Sequence, residues 1–222
     1  MTIQKGTTVG EVAAVMPGAL PVFQELRIDY CCGGKKLFAD ALNERNVRVD
    51  EFVEWANKRV QDKTPNPIHQ DFTQMSPAVL TSYIEDTHHD HLRRALPEID
   101  GLLIQVLGAH GRNHVELFEV YKLFGRLKSE LTQHLIKEET MLFPALIQDA
   151  ARDCELVDII VREHEGAGEL LEAMRSVSFD YNIPKDACAT YRRTYEMLQD
   201  LEEDLHQHIH LENNILLKEG AE

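Results

Sequence analysis

Apolar residues recur at three- and four-residue steps along most of this chain, which predicts amphipathic helices throughout. Thr8 to Met16 and Gly18 to Leu26 each read as a short helix, and Leu37 to Arg59 holds one or two more. Lys63-Thr-Pro-Asn-Pro-Ile-His69 then interrupts the pattern, because two prolines bias their neighbours away from helix. Four longer patterns follow. Ser76-Pro77 is a start signal, with serine as N-cap and proline at the first helical position. The first seam runs through Ile84, His89, Leu92, Leu96, Ile99 and Leu103, with Pro97 expected to kink the helix or force local repair. The second, after Gly111-Arg-Asn113, reads Leu127, Leu131, His134, Glu138, Met141 and Ala145. The third reads Leu156, Ile160, His164, Ala167, Leu171 and Met174. The fourth starts near Pro184 and reads Leu198, Leu201, Leu205, His208, Glu212 and Ile215.

Short connections make sequential helices antiparallel, so the expected fold is all-α: a small N-terminal helical domain and an up-down-up-down four-helix bundle. The expected boundaries are 1–64 for the small domain, 65–76 for the linker and 77–222 for the bundle. A domain of roughly 60 residues can barely stand alone.

A polar residue interrupts every one of the four seams. Positions i and i+4 of a helix differ by about 40° in rotation and about 6 Å in height. His134 and Glu138 therefore project from one face, as do His208 and Glu212, while His89 and His164 add one imidazole each. Burying these groups uncompensated costs several kcal/mol per carboxylate. Bound metal removes that cost if the imidazoles are neutral and the carboxylates ionised. Four imidazoles and two carboxylates suit two first-row ions, each held by two histidines and both sharing bridging Glu138 and Glu212. Imidazole and carboxylate alone do not separate iron from manganese or zinc, although the lack of a seam cysteine disfavours structural zinc. One isolated His-x-x-x-Glu pair is more often a solvated surface pair; four in-seam matches on consecutive helices are what favour a metal.

Eleven histidines are present. His91, His206 and His210 turn away from the seams and His88 sits at their rim, so all four read as surface or supporting residues. His110 and His114 could support the site or mark an entry to it but read rather as a solvated turn, and His69 reads as part of the linker. Adjacent Cys31 and Cys32 could receive iron, react with nitric oxide or close a strained disulfide ring, or could be small packing residues before a Gly33-Gly34 stop. Cys154 and Cys188, near helix starts, are assigned to packing.

The formal charge of −15 argues against nucleic acid or an anionic membrane as partner. Met1 to Glu11 lacks the pattern of a signal peptide, no stretch approaches ~20 apolar residues, and the four cysteines form no secreted framework. The expected location is the cytoplasm.

Several stretches resemble the repair-of-iron-centres di-iron proteins (the YtfE/ScdA/DnrN type) over nearly the full chain. Ile28-Asp-Tyr-Cys-Cys-Gly-Gly34 resembles that family's vicinal-cysteine motif. His89-Asp-His-Leu-Arg-Arg-Ala-Leu-Pro97, His134-Leu-Ile-Lys-Glu-Glu139 with Leu142-Phe-Pro144, Glu163-His-Glu-Gly-Ala-Gly-Glu-Leu-Leu171 and His208-Ile-His-Leu-Glu-Asn-Asn214 resemble its four hemerythrin-type ligand segments. The resemblance implies a hemerythrin-like bundle and the ligand set His89, His134, Glu138, His164, His208 and Glu212, which the seams select independently. It also implies two oxo- or hydroxo-bridged irons, with Glu138 and Glu212 bridging. Two departures stand out: Ile215-Leu-Leu-Lys218 replaces the family's apolar pair and Phe-Pro, and His88 stands where some relatives have tyrosine.

The implied function is repair of oxidatively or nitrosatively damaged iron–sulfur clusters. The implied routes are iron donation, or nitric oxide binding and reduction at the di-iron site; the second would make the protein an enzyme. Damaged iron–sulfur proteins would be its clients, and it would act as monomer or dimer. The alternatives are a hemerythrin-like oxygen-binding or sensing protein, and a metal-stabilised interaction module without chemistry.

Overall fold

The computed structural model describes residues 4, 6–16, 18–62, 71–148 and 153–218. The linker stretch 63–69, with His69, lies outside the described residues. Among the described residues ten α-helices follow in order: α1 Val9–Val15, α2 Ala19–Leu26, α3 Phe38–Glu44, α4 Val49–Asp62, α5 Pro77–Ile84, α6 Asp90–His110, α7 Glu116–Lys137, α8 Phe143–Ile147, α9 Cys154–Val177 and α10 Ala189–Leu211. Among the described residues there is no strand, only an isolated bridge between Thr8 and Leu37. No described helix is long and apolar enough to cross a membrane.

Contacts divide the chain into two compact units, Met1–Leu80 with Gln207–Glu222, and Thr81–His206. In the first unit α1 opens with a capping box. The Thr8 hydroxyl accepts from the Glu11 amide at 3.3 Å, and Glu11 accepts from the Thr8 amide at 3.0 Å. Arg27 ends α2 in the left-handed region at φ 51°. Phe23, Phe38 and Phe52 form the heart of this unit, with ring centroids 4.8 to 6.1 Å apart. All three are fully buried, and each contributes about 2 kcal/mol by leaving water.

In the second unit α7 packs against both α6 and α9. Lys128 pairs with Asp100 at 2.8 Å and His89 with Glu139 at 2.7 Å, so numbers rise on α6 as they fall on α7 and the two run antiparallel. His88 pairs with Asp204 at 2.9 Å, while the rings of His110 and Tyr191 stand 5.4 Å apart; α6 and α10 are antiparallel as well. Glu202 accepts from Arg175 at 2.8 Å and from the Tyr181 hydroxyl at 2.9 Å, fixing α10 against the end of α9. The expected all-α bundle is the observed one.

Three differences in detail have physical causes. α10 begins at Ala189 rather than near Pro184, because the chain first turns at Pro184–Ala187, where the Ala187 amide donates to the Pro184 carbonyl at 3.1 Å. Cys154 and Cys188 are exposed, so neither packs; Cys188 instead caps α10, its sulfur accepting from the Tyr191 amide at 3.5 Å. The seams are also not uniformly α-helical. Single π-helical turns occur at Glu85–His89, Glu138–Leu142 and Glu212–Leu216. A π turn inserts one residue and rotates everything beyond it. Met141, placed in the seam by an unbroken α-period, is therefore exposed, and Leu142 and Phe143 are buried.

Candidate metal centre

Each π turn begins or ends on a candidate ligand: His89 closes the first, Glu138 opens the second and Glu212 opens the third. Such turns are frequent at functional sites because they release backbone pairing and re-aim a side chain. A trace of the first was present in the sequence, since Ile84 to His89 is a five-residue step.

Four of the expected ligands meet in the second unit. Glu138 is fully buried, and the Nε2 atoms of three imidazoles surround it. His134 Nε2 lies 3.0 Å and His164 Nε2 3.6 Å from Oε1, while His89 Nε2 lies 3.4 Å from Oε2. The Nε2 atoms of His134 and His164 are 3.1 Å apart. Burial pushes the Glu138 carboxyl up. The charge of His134, with hydrogen bonds from His134, His164 and His89, outweighs it and holds the group well below the usual carboxylate range.

The far side of two imidazoles faces carboxylates. His89 Nδ1 stands 2.7 Å from Glu139 Oε1, and Arg93 pairs with the same carboxylate. His134 Nδ1 stands 2.9 Å from Glu163 Oε2, and Lys137 pairs with that one. Burial raises both carboxyls, but the imidazole and the cation beside each prevail and lower them. A carboxylate on Nδ1 keeps the imidazole proton there, so Nε2 presents a lone pair. Those lone pairs of His89 and His134 point at carboxylate oxygens of Glu138, so a positive charge must stand between them. It is either a second proton on the imidazole, which gives the hydrogen bonds that hold Glu138 low, or a metal cation in its place. The donor set fits a metal ion.

Glu139 and Glu163 were not singled out from the sequence. Their signal was present, as acids next to Glu138 and His164, but helical rotation alone places them off the seam. Only α6 and α9, each folded against α7, show that they reach imidazoles of neighbouring elements.

The remaining expected ligands belong to the first unit. His208 Nε2 lies 3.2 Å from Glu212 Oε1, and both residues are buried. The i, i+4 spacing works because α10 stays helical through Leu211 and the π turn starts at Glu212. Leu217 donates its amide to the Glu212 carbonyl at 2.7 Å, the five-residue bond of that turn.

The vicinal cysteines lie in the same unit, against this turn. Asp29 gathers the segment: Oδ1 accepts from the amides of Cys31 and Cys32 at 2.9 and 3.0 Å, and Oδ2 from that of Gly33 at 2.8 Å. Cys31 and Cys32 are free thiols with sulfurs 3.8 Å apart, and with Asp29 they form a donor group of their own. The Cys32 thiol, burial and the Asp29 charge all push the Cys31 thiol up. Asn214 donates to the carbonyls of Tyr30 and Cys31 at 3.2 and 3.0 Å, and His210 Nδ1 stands 3.3 Å from the Tyr30 carbonyl. Of the surface and supporting alternatives, burial removes the first for His210 and His88. Gly34 is not a helix stop. It lets the segment approach the turn, since a Cβ there would stand 2.1 Å from Asn214 Oδ1.

Comparison with known proteins adds a family and relatives. The model of the hemerythrin HHE cation binding domain matches residues 81–219, and ScdA_N, a domain of unknown function (DUF542), matches residues 5–58. An iron-sulfur cluster repair protein ScdA of Staphylococcus epidermidis is 29% identical over 97% of this chain and 98% of its own. A probable iron-sulfur cluster repair protein of Haemophilus influenzae is 32% identical over 94% and 93%. An iron-sulfur cluster repair protein YtfE of Salmonella choleraesuis is 31% identical over the same shares.

Proposed function

Because the chain belongs to the hemerythrin HHE cation-binding family, we propose that it is a non-haem di-iron protein of the cytoplasm that repairs oxidatively or nitrosatively damaged iron–sulfur clusters. The relatives named above carry iron-sulfur cluster repair in their names, and each matches at least 94% of this chain. Residues 77–222 are taken as the metal-holding bundle and 1–64 as the domain that carries the thiols.

The observation that carries the reading is the donor set. Within the second unit His89, His134 and His164 turn their Nε2 atoms onto Glu138, and within the first His208 Nε2 faces Glu212. Four imidazoles and two carboxylates would suit a pair of iron ions, with Glu138 and Glu212 shared between them. When bound, such a pair supplies reversible one-electron chemistry and positions open to a diatomic ligand such as nitric oxide. The chain contributes the rest. Glu139 and Glu163 hold two imidazoles in the tautomer a metal needs, and a buried carboxylate pair balances the positive charge. With two imidazoles per ion, fewer than in a five-histidine oxygen carrier, iron would be released more readily to a damaged client.

The test is the metal content of protein purified without added metal, followed by two assays. Two irons per chain are expected, with consumption of nitric oxide or restoration of a nitric-oxide-damaged iron–sulfur enzyme. Zinc in the site, or iron that does neither, would overturn the reading. A stable oxygenated spectrum in air would replace it with oxygen carriage.

A further inference from the structure

The end of the second unit farthest from Glu138 carries a second constellation, formed by His110, His114 and Asp186. It belongs to no motif of the bundle centre. His89 and His110 lie at opposite ends of α6, so roughly 30 Å of helix separates them.

The two imidazoles share one face. His114 donates its amide to the His110 carbonyl at 3.0 Å, which carries one more helical turn past the end of α6. Buried Tyr191 stands edge-on to both rings, with centroids 5.4 and 5.5 Å away, and holds them side by side. Asp186 arrives from the loop before α10. Both its oxygens lie 3.1 Å from His114 Nε2. One donor atom from each of the three residues falls within 4.8 Å of the others. On its far side His114 Nδ1 lies 3.1 Å from Glu116 Oε1. This repeats the relation of His134 to Glu163 at the bundle centre.

We propose that His110, His114 and Asp186 form a second metal site, independent of the bundle centre, that takes one divalent transition ion of the zinc class. The geometry suits that ion. Ligands about 2.1 Å from a tetrahedral zinc stand about 3.4 Å from each other, close to the 3.1 Å between His114 Nε2 and Asp186. Two neutral imidazoles and a carboxylate leave a net positive charge on the ion, and Glu116 offsets it through His114. Asp186 is exposed and His114 about 15% exposed, so an ion reaches the group from solvent without opening the bundle.

The test is calorimetric titration of the iron-loaded full-length protein with Zn²⁺, following the iron absorption throughout. The wild type is expected to bind one more zinc per chain than the His110→Ala/His114→Ala double variant, with the iron absorption unchanged in both. Asp186→Asn is expected to weaken this zinc at least tenfold. Equal zinc binding by wild type and double variant would overturn the proposal, leaving an ion pair between His114 and Asp186 only. The readout is a difference between two proteins with the same bundle centre. It therefore stands or falls separately from whether that centre holds iron.

Discussion

Glu163 Oε2 lies 2.9 Å from His134 Nδ1, although the two residues come from different helices and Glu163 is the immediate neighbour of another candidate ligand, His164. One turn of α9 thus supplies both a donor for a metal and the group that orients a donor on α7. Glu139 does the same for α6, following Glu138 in sequence and meeting His89 at 2.7 Å. His134 and His89 are therefore each braced by the residue beside another candidate ligand.

Glu163→Gln and Glu139→Gln should each weaken iron binding roughly tenfold to a hundredfold, because a neutral amide no longer fixes the Nδ1 proton of His134 or His89. The measurement is the rate of iron loss to a chelator. Equal loss from both variants and the wild type would show that these carboxylates do not orient the ligands.

Glu138→Ala should lose most bound iron, whereas a change at Met141, exposed beyond the π turn, should not. Iron per chain, measured after gel filtration, separates the two. Retention of two irons by Glu138→Ala would remove it from the bridging role.

Chelation of the metal should lower the melting temperature. A ligand present at a hundred times its Kd stabilises by about 2.7 kcal/mol. At about 2–4 °C per kcal/mol for a chain of this size, that predicts a fall of roughly 5–10 °C. Calorimetry before and after chelation checks it, and readdition of iron should restore the original value.

Gly34→Ala should loosen the vicinal-cysteine segment, since its Cβ would stand 2.1 Å from Asn214 Oδ1 and displace the amide that holds the Tyr30 and Cys31 carbonyls. In the wild type Cys32 should alkylate first, because Cys31 is only 4% exposed and its thiol is shifted up. In the variant Cys31 should react severalfold faster, at a stability cost of about 1–3 kcal/mol. Mass spectrometry of timed alkylation reads both.

Thr8→Ala should cost about 1 kcal/mol by removing the α1 cap. The backbone hydrogen bond from Thr8 holds Glu11 below the ordinary carboxylate pKa of 4.5, with Lys218 helping against a smaller desolvation. A carboxyl lowered on folding stabilises above its unfolded pKa, and that gain fades as pH falls through the folded one. Glu11→Gln should therefore lower stability near neutrality and flatten the acid limb below about pH 4.5. Urea titrations at neutral and acid pH test the difference.

Much of this protein was readable from spacing alone. Helical period follows from which side chains must leave water, so the amphipathic seams and the i, i+4 pairs His134–Glu138 and His208–Glu212 were visible before any coordinates. Composition likewise carried the acidic charge and the adjacent Cys31 and Cys32. What lay beyond reach depends on contacts between distant segments. A π turn costs local hydrogen bonding and exists only where packing repays it, so the exposure of Met141 and burial of Leu142 follow from the folded bundle. The bracing of His134 by Glu163 and the meeting of His114 with Asp186 are set by which helix faces which. No local preference encodes a contact between residues 29 or 72 positions apart; only the packed chain brings those atoms within reach.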